Sequence, residues 1–420
     1  MAVASARQAF LARVKDNRQR NIDLCRELVA IGSENPPGDT GPLADAVAAM
    51  LAEVPGVTVE RIVAKEPAVN LVARLAGGQP GRRLVFNGHL DTFPVGDAGL
   101  WTMPPLGGEV RDGRMYGRGV SDMKAGVAAA LLTVILLADF REHLCGEAVL
   151  TFVGDEETGG KWGTQYLLDN VPAASGDAMI NGDAGSPSVM RFGEKGQMWI
   201  EVTATGFSNH AAHVHLGINA IERLTAALGG LAALRNMDCP IPEDIRAAIV
   251  AAKPVSEEIS GAGEAETLQG VTLSLGVIEG GSSVNIIPDH ARALCDIRFP
   301  PGLTVEGMTK AVADILAAHK GVGFEVLASI DSYWSDPADE IFHLAAANSK
   351  DVLGHKAASN MRVGMSDARF YRQRGIPTLG YGAAPHNMGG PDEYVTLDDL
   401  HAVFYVHAMT AFDYLAKAGD

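Results

Sequence analysis

No long apolar run opens the 420-residue sequence. Its first 31 residues read as a charged helix carrying Arg7, Arg13, Lys15, Arg18, Arg20 and Arg26, with no secretory h-region. Long apolar runs are missing too. The longest, Ala125 to Ala138, is bounded by Lys124 and Asp139, is too short for a membrane span and reads as a buried helix. Cysteine is scarce: Cys25, Cys145, Cys239 and Cys295 lie far apart with no CxxC pair. That argues against a disulfide framework or a zinc knuckle and suits reduced thiols in a cytoplasmic protein. Positive charge is short as well. The 34 Lys and Arg face 51 Asp and Glu, for a formal charge of −17. A nucleic-acid partner is disfavoured, because phosphate binding needs clustered cations. There is no tandem repeat, no low-complexity tract and no GxGxxG dinucleotide turn.

What is present is enough chain for two domains and an ordinary apolar share of 47%. Strands are expected at Val69–Ala76, Arg83–Asn87, Ala148–Val153 and Ala178–Ile180, with helices at Lys124–Ala138 and Trp162–Leu168 between them. The strands are nearly continuous apolar runs, as in an α/β layer covered on both faces. The rhythm then changes. Met198–Thr205 alternates apolar and polar residues, followed by a helix near Ile218–Leu234 and a polar insertion, Asp238–Gln269. Strands Thr272–Ile278 and Ala291–Arg298, a helix at Val305–His319 and a strand at Gly323–Ile330 complete a β-α-β-β-α-β, ferredoxin-like unit. The α/β rhythm returns with a helix at Glu340–Leu353, a strand at Thr378–Tyr381 and an amphipathic helix at Leu397–Leu415. The expected division is a larger domain of 1–192 plus 333–420, with 193–332 inserted.

Five segments carry candidate chemistry. Leu84-Val-Phe-Asn-Gly-His89-Leu-Asp91 ends a strand on His-x-Asp: a neutral imidazole ligates metal and a nearby carboxylate can orient it. Gly117-Arg-Gly-Val-Ser-Asp122 delivers a carboxylate to the start of the buried helix, where it reads either as an N-cap or as a ligand bridging two metals. Asp155-Glu156-Glu157 follows an apolar strand. It is either a helix start with acids at its positive end or a metal ligand beside a general base. Asp183 and His386 follow two further strands. Alone, each has a structural explanation. Together, four of the segments lie just past strand ends, where open α/β sheets build their sites. With Asp122 they supply two histidines and three carboxylates, the inventory for two adjacent metals.

With those residues in place, the chain resembles the co-catalytic dizinc amidohydrolases and exopeptidases: acetylornithine deacetylase, succinyl-diaminopimelate desuccinylase, bacterial glutamate carboxypeptidase and aminoacylase. The motifs run in order along nearly the whole chain: Ser33-Glu-Asn-Pro-Pro-Gly38, Gly88-His-Leu-Asp-Thr92, Gly117–Asp122, Asp155-Glu-Glu-Thr-Gly159 and Gly389-Gly-Pro-Asp-Glu-Tyr-Val395. The resemblance implies an α/β fold: a mixed-sheet catalytic domain of zinc-exopeptidase type with an inserted ferredoxin-like α+β lid and dimerisation domain. It implies that His89 and Asp183 hold one divalent ion, Glu157 and His386 the other, and that Asp122 bridges them. The ions would be zinc, with cobalt or manganese as alternatives. Asp91 would orient His89 and Glu156 would be the general base. In the insert, His210 would stabilise the tetrahedral intermediate across a homodimer interface, and Asn285 and Arg298 would contact substrate. Two departures stand out. The family's proline four residues after this histidine is Val214 here, with His213 and His215 alongside. The last family histidine commonly sits about four residues before the glutamate matching Glu393, whereas His386 sits seven before it; a site without it would hold one metal.

The expected activity is metal-dependent hydrolysis of an amide C–N bond in a small carboxylate-bearing substrate such as an N-acyl amino acid or dipeptide. A metal-bound hydroxide would attack, with Glu156 taking its proton. Two other readings remain at this level: removal of an amino group from an aromatic or heterocyclic amine at the same site, and a non-catalytic binding protein on the same scaffold. No membrane or nucleic-acid partner is expected.

Overall fold

The computed structural model describes residues 3–416, which form two compact units. One comprises Met1–Phe192, Trp334–Asn360 and Met365–Asp420; the other comprises Gly193–Tyr333 and Met361–Gly364. The short stretch 361–364 thus sits with the smaller unit, where the sequence reading left it in the larger. Its backbone bonds there, Lys195 N donating to Arg362 O at 3.4 Å.

The larger unit is built on a nine-stranded mixed sheet in the order Val57–Lys65, Ala68–Ala76, Cys145–Val153, Gln79–His89, Ala178–Asn181, Thr378–Gly380, Val189–Glu194 and Tyr333–Trp334, with Ala358–Arg362 pairing Val189–Glu194. The four strands Cys145–Val153, Gln79–His89, Ala178–Asn181 and Thr378–Gly380 run parallel. Their carboxyl ends therefore share one edge of the sheet, and the residues just beyond them are His89, Asp155–Glu157, Asp183 and the approach to His386.

Both faces of this centre are covered, which explains its apolar strands. Val72, Val85, Val149, Val153 and Met179 pack with Leu167, Ala174, Ala368 and Tyr371 from the short helices Thr164–Asn170 and Ala368–Gln373. The helices Ala125–Ala138 and Leu397–Leu415 pack against the strands and each other. Phe86 meets His407 of the latter helix at 5.9 Å between ring centres. Leu397–Leu415, expected to be amphipathic, is instead buried nearly all round from Ala402 to Leu415. The preceding turn extends the apolar helix to Val120–Ala138, 19 residues and long enough to cross a membrane by composition; 94% of its most apolar stretch is buried inside the protein, so it is a core helix. Its start lies tight against the Gly182 turn: a Cβ at Gly126 would meet Gly182 O at 2.1 Å. Only a residue without a side chain allows this approach, which brings the segments of Asp122 and Asp183 together.

The smaller unit has a four-stranded antiparallel sheet in the order Thr272–Gly280, His290–Phe299, Gly196–Thr205, Val322–Ile330. With helices Ala220–Leu231 and Val305–Leu316 it makes the ferredoxin-like β-α-β-β-α-β unit. One sheet face is dry: Met198, Ile200, Val202 and Ala204 alternate inward against Leu224, Leu231, Met308 and Val312. The polar insertion Asp238–Gln269 holds helices Glu243–Ser260 and Glu264–Gln269, to which the sequence analysis assigns no element. Its helical period is there in Ile245, Ile249, Ala252 and Ser256, all buried at spacings of three or four. The abundant acids and the nearby prolines hid it.

Candidate metal centre and active site

His89 is the last residue of its strand and is buried. Its Nε2 lies 3.0 Å from Asp122 Oδ1. Asp122 reaches that position because Gly119 takes φ +75° and turns the chain just before the helix. Asp183 follows the strand Ala178–Asn181, and its backbone N donates to Asn181 Oδ1 at 3.2 Å. Ligand atoms of His89, Asp122 and Asp183 all lie within 4.8 Å of one another, and all three residues are buried. Among the described residues this group does not extend to Glu157 or His386.

Asp91 meets both His89 and the Glu156–Glu157 turn. His89 Nδ1 meets the Asp91 backbone carbonyl at 2.8 Å, while the Asp91 carboxylate stands 3.5 Å from it. That carboxylate accepts the backbone N–H groups of Glu156 at 3.2 Å and Glu157 at 3.1 Å, and Asn35 Nδ2 at 2.9 Å. Asp91 therefore orients His89 mainly through its backbone, and its side chain pins the Glu156–Glu157 turn. Exposed amides at the start of a turn are the natural partners of an anion. Asn35, within the Ser33–Gly38 motif, also reaches Thr158 Oγ1 at 3.3 Å.

The electrostatics are those of crowded anions. Burial, then the carboxylates of Asp122, Asp91 and Asp183, push Glu157 up to about 8 against the pull of His89. Glu156 is also raised well above the carboxylate range, first by burial and then by Asp367 and Asp183, with His89 and Arg369 opposing. Burial disfavours a charged His89, but hydrogen bonds to Asp122 and Asp91 carry it well above its ordinary value. Glu157 Oε1 is buried and takes no hydrogen bond among the described residues. A buried, unmatched carboxylate oxygen beside a His–Asp–Asp group is a poor arrangement for neutral chemistry and a fitting one for divalent cations.

His386 lies beyond the strand Thr378–Gly380, in a different setting. Its ring stacks on Tyr394 at 4.4 Å, and Tyr394 N donates to His386 O at 3.1 Å. The intervening residues form a loop with positive φ at Asn387, Gly389 and Asp392. The extra residues of the 386-to-393 spacing are thus looped out, and His386 pairs directly across from Tyr394.

Two further carboxylates, Glu393 of the Gly389–Val395 motif and Asp367, support the site. Glu393 is fully buried and accepts from Arg118 Nη1 at 2.6 Å, Ser121 Oγ at 2.8 Å, Ser121 N at 3.0 Å and Gly119 N at 3.2 Å. It clamps the turn that presents Asp122. Asp367 is buried, accepts from Thr164 Oγ1 at 2.7 Å and is pushed up by burial to about 7, with Arg369 opposing. The run Ser366-Asp-Ala-Arg369, a charged pair in a small-residue loop, was the available clue.

In the smaller unit His210 is exposed, and its Nδ1 accepts from Ala212 N at 3.1 Å. Ala211 N donates to Asn285 O at 2.9 Å, so His210 and Asn285 sit side by side. Arg298 does not join them. It lies near the far end of the strand His290–Phe299, and its Nε and Nη2 grip Asp296 at 2.7 and 2.9 Å.

Comparison with known proteins agrees with this architecture. The model of peptidase family M20/M25/M40 matches residues 85–413. A succinyl-diaminopimelate desuccinylase of Rhodospirillum centenum is 32% identical over 390 residues, covering 90% of this chain and 93% of that one. Among solved structures, the M20 family metallo-carboxypeptidase Sso-CP2 from Sulfolobus solfataricus superposes with a TM-score of 0.76 at 18% identity, covering 94% and 99% of the two chains. Bacillus subtilis YxeP, described as a dinuclear metal binding peptidase, gives 0.65 at 15% identity over 96% and 99%.

The raised groups predict a pH dependence for the chelator-treated protein. Glu157 and Asp367 keep protons up to about 8 and about 7 when folded, whereas an unfolded carboxyl loses its proton near pH ~4. The folded state therefore binds more protons between those values, and stability falls as pH rises from about 4 to about 8. His89, also raised, acts in the same direction. Thermal unfolding of the EDTA-treated protein between pH 5 and 8.5 should show Tm falling, and added divalent metal should flatten the trend. A metal-free Tm that climbs across this range would contradict the electrostatic picture.

Proposed function

The chain belongs to peptidase family M20/M25/M40, and from that premise we propose that it is a metal-dependent deacylase of small, carboxylate-bearing N-acyl amino acids or dipeptides. As a family member it is a hydrolase acting on C–N bonds. The observation that carries the proposal is the convergence of His89, Asp122 and Asp183 beside the pinned Glu156–Glu157 turn. In this reading His89 and Asp183 would hold one cation and Glu157 and His386 a second, with Asp122 shared between them. Imidazole and carboxylate donors suit zinc, and also cobalt or manganese. Bound there, such ions supply an acidified water and a Lewis acid for the carbonyl.

Glu156 takes the proton of the attacking water and passes it to the leaving nitrogen. His210 accepts at Nδ1 from Ala212 N, which leaves the proton of the neutral ring on Nε2. That N–H is the donor to the oxyanion, worth roughly 3 kcal/mol by analogy with other oxyanion donors. Asn285 and Arg298 contact the substrate. The larger unit is the catalytic domain and the insert a lid and dimerisation domain. A homodimer is supported by the insert's edge strand Thr272–Gly280, which exposes Leu275, Val277 and Ile278. The four free cysteines fit a reducing cytoplasm.

Three measurements test this reading. Glu156→Ala should lower kcat by about 10²–10⁴-fold on the fastest member of a panel of N-succinyl-diaminopimelate, N-acetyl amino acids and dipeptides, while metal content stays at the wild-type level. Normal turnover in that variant would remove Glu156 from the mechanism. His386→Ala should reduce bound metal, counted by mass spectrometry of the dialysed protein, from two ions per chain to one; an unchanged count excludes it as a ligand. Light scattering of Leu275→Glu/Ile278→Glu should give the monomer mass where the parent gives a dimer. Equal masses for the two proteins would place any interface elsewhere.

A further inference from the structure

We propose that Arg369 is a positioning residue for Glu156: it fixes where that carboxylate stands without itself touching substrate. The inference rests on reading Glu156 as the base. Arg369 lies in the short helix Ala368–Gln373, with its side chain 8% exposed and its guanidinium 4.4 Å from the ring centre of Phe370. Nη1 donates to Ser366 O at 2.7 Å, and Nη2 donates to Gly159 O at 2.8 Å. The same guanidinium stands 3.7 Å from Glu156 Oε1 and 3.8 Å from Asp367 Oδ1.

These contacts fasten the turn at a second point. Asp91 holds the amides of Glu156 and Glu157 at its beginning, and Arg369 holds the Gly159 carbonyl at its end. Gly159 N closes the turn on Glu156 O at 2.8 Å, so fixing Gly159 fixes the backbone of Glu156. The charge has a separate effect. Two neighbouring glutamates on one turn face the same cation-binding group, and nothing in their chemistry tells them apart. A cationic guanidinium beside Glu156 attracts that carboxylate away from the ligand cluster and leaves Glu157 to it.

The separation matters. At 3.7 Å the pair lies beyond hydrogen-bond range, so Arg369 attracts Glu156 without capturing the lone pairs that must receive a proton. The guanidinium cannot close into the usual two-pronged grip on a carboxylate while Nη1 and Nη2 point at backbone carbonyls. A lysine in its place would keep the charge but could not hold both carbonyls in the same fixed fork.

The test uses the full-length, metal-loaded protein and the fastest substrate of the panel above. Arg369→Ala should lower kcat by about 10²-fold, the usual penalty for a misplaced catalytic group, with KM and metal content within about twofold of wild type. Methylguanidinium at tens of millimolar should restore part of that loss. Arg369→Lys should fall between the two, and Arg369→Ala in a Glu156→Ala background should add little. A crystal structure of the metal-loaded Ala variant should place the Glu156 carboxylate away from its position here. An Arg369→Ala protein with normal kcat, or one whose Glu156 has not moved, overturns the inference. If that variant does not fold or loses its metal, Arg369→Lys decides: lower kcat at constant KM and metal content supports positioning, and wild-type kcat overturns it. Full activity in Glu156→Ala would instead mark the base assignment as the error.

Discussion

A carboxylate buried in protein is tolerated only where something positive, or a set of hydrogen-bond donors, meets it. At the carboxyl edge of the large sheet this chain gathers Asp91, Asp122, Asp155, Glu156, Glu157, Asp183, Asp367 and Glu393. Much of the surrounding structure answers that crowding. Glu393 takes a guanidinium, a hydroxyl and two amides. Asp91 takes two amides and the Asn35 side chain. Asp155 takes the amide of Trp162, and Asp367 takes Thr164. The ligand atoms of His89, Asp122 and Asp183 lie within 4.8 Å of one another, and buried oxygens of Asp155, Glu157 and Asp367 take no hydrogen bond among the described residues. Protons can relieve such a group, as the raised values of Glu157 and Asp367 indicate, but divalent cations relieve it without the protons.

The scaffold makes the crowding possible. Parallel strands place successive strand ends on one edge, so residues distant in sequence arrive as neighbours. Beneath that edge, Gly126 and Gly182 allow the apolar helix to approach the Asp183 turn. His407 lies under the same turn, its ring within 3.1 Å of a Cβ at Gly182, and its Nε2 bonds Tyr381 O at 2.7 Å. Burial holds His407 down to about 4, so it stays neutral at ordinary pH and brings no charge under the site. The rigid floor and the strained electrostatics above it belong together: an anion cluster keeps its geometry only if the backbone beneath cannot relax.

What could be read in the sequence follows from where the signal was local. Strand ends followed by His or an acid are local, and they led to His89, Asp122 and Asp183, which the fold assembles. The β-α-β-β-α-β unit was legible because its strands alternate and its helices are apolar on one face. The helix Glu243–Ser260 was not, since its buried residues are too sparse among acids to stand out. Side-chain direction was also not legible. His-x-Asp points to a carboxylate–imidazole contact, which stands at 3.5 Å, but not to the closer backbone carbonyl of Asp91 at 2.8 Å or to the carboxylate's bonds with the next loop. The position of Arg369 is not legible because its partner Gly159 lies 210 residues away in sequence, and the Gly389–Val395 motif marks Glu393 without showing that it clamps the turn of Asp122, 275 residues from Arg118. The 386-to-393 spacing looked discordant only because spacing counts residues along the chain, whereas a loop at 387–392 removes them from the path between His386 and Tyr394.

The insert sets a constraint of its own on the proposed chemistry. His210 and Asn285 sit at one end of its sheet, where Ile286 bridges to His210. Arg298 sits at the other end, eight residues past His290 along an extended strand, a distance of roughly 25 Å. A dipeptide-sized substrate cannot touch both ends. If His210 donates to the oxyanion and Arg298 meets a substrate carboxylate, the two cannot come to one small molecule from the same copy of the insert. In the proposed homodimer, each copy of the insert would supply the end that the other copy's substrate lacks.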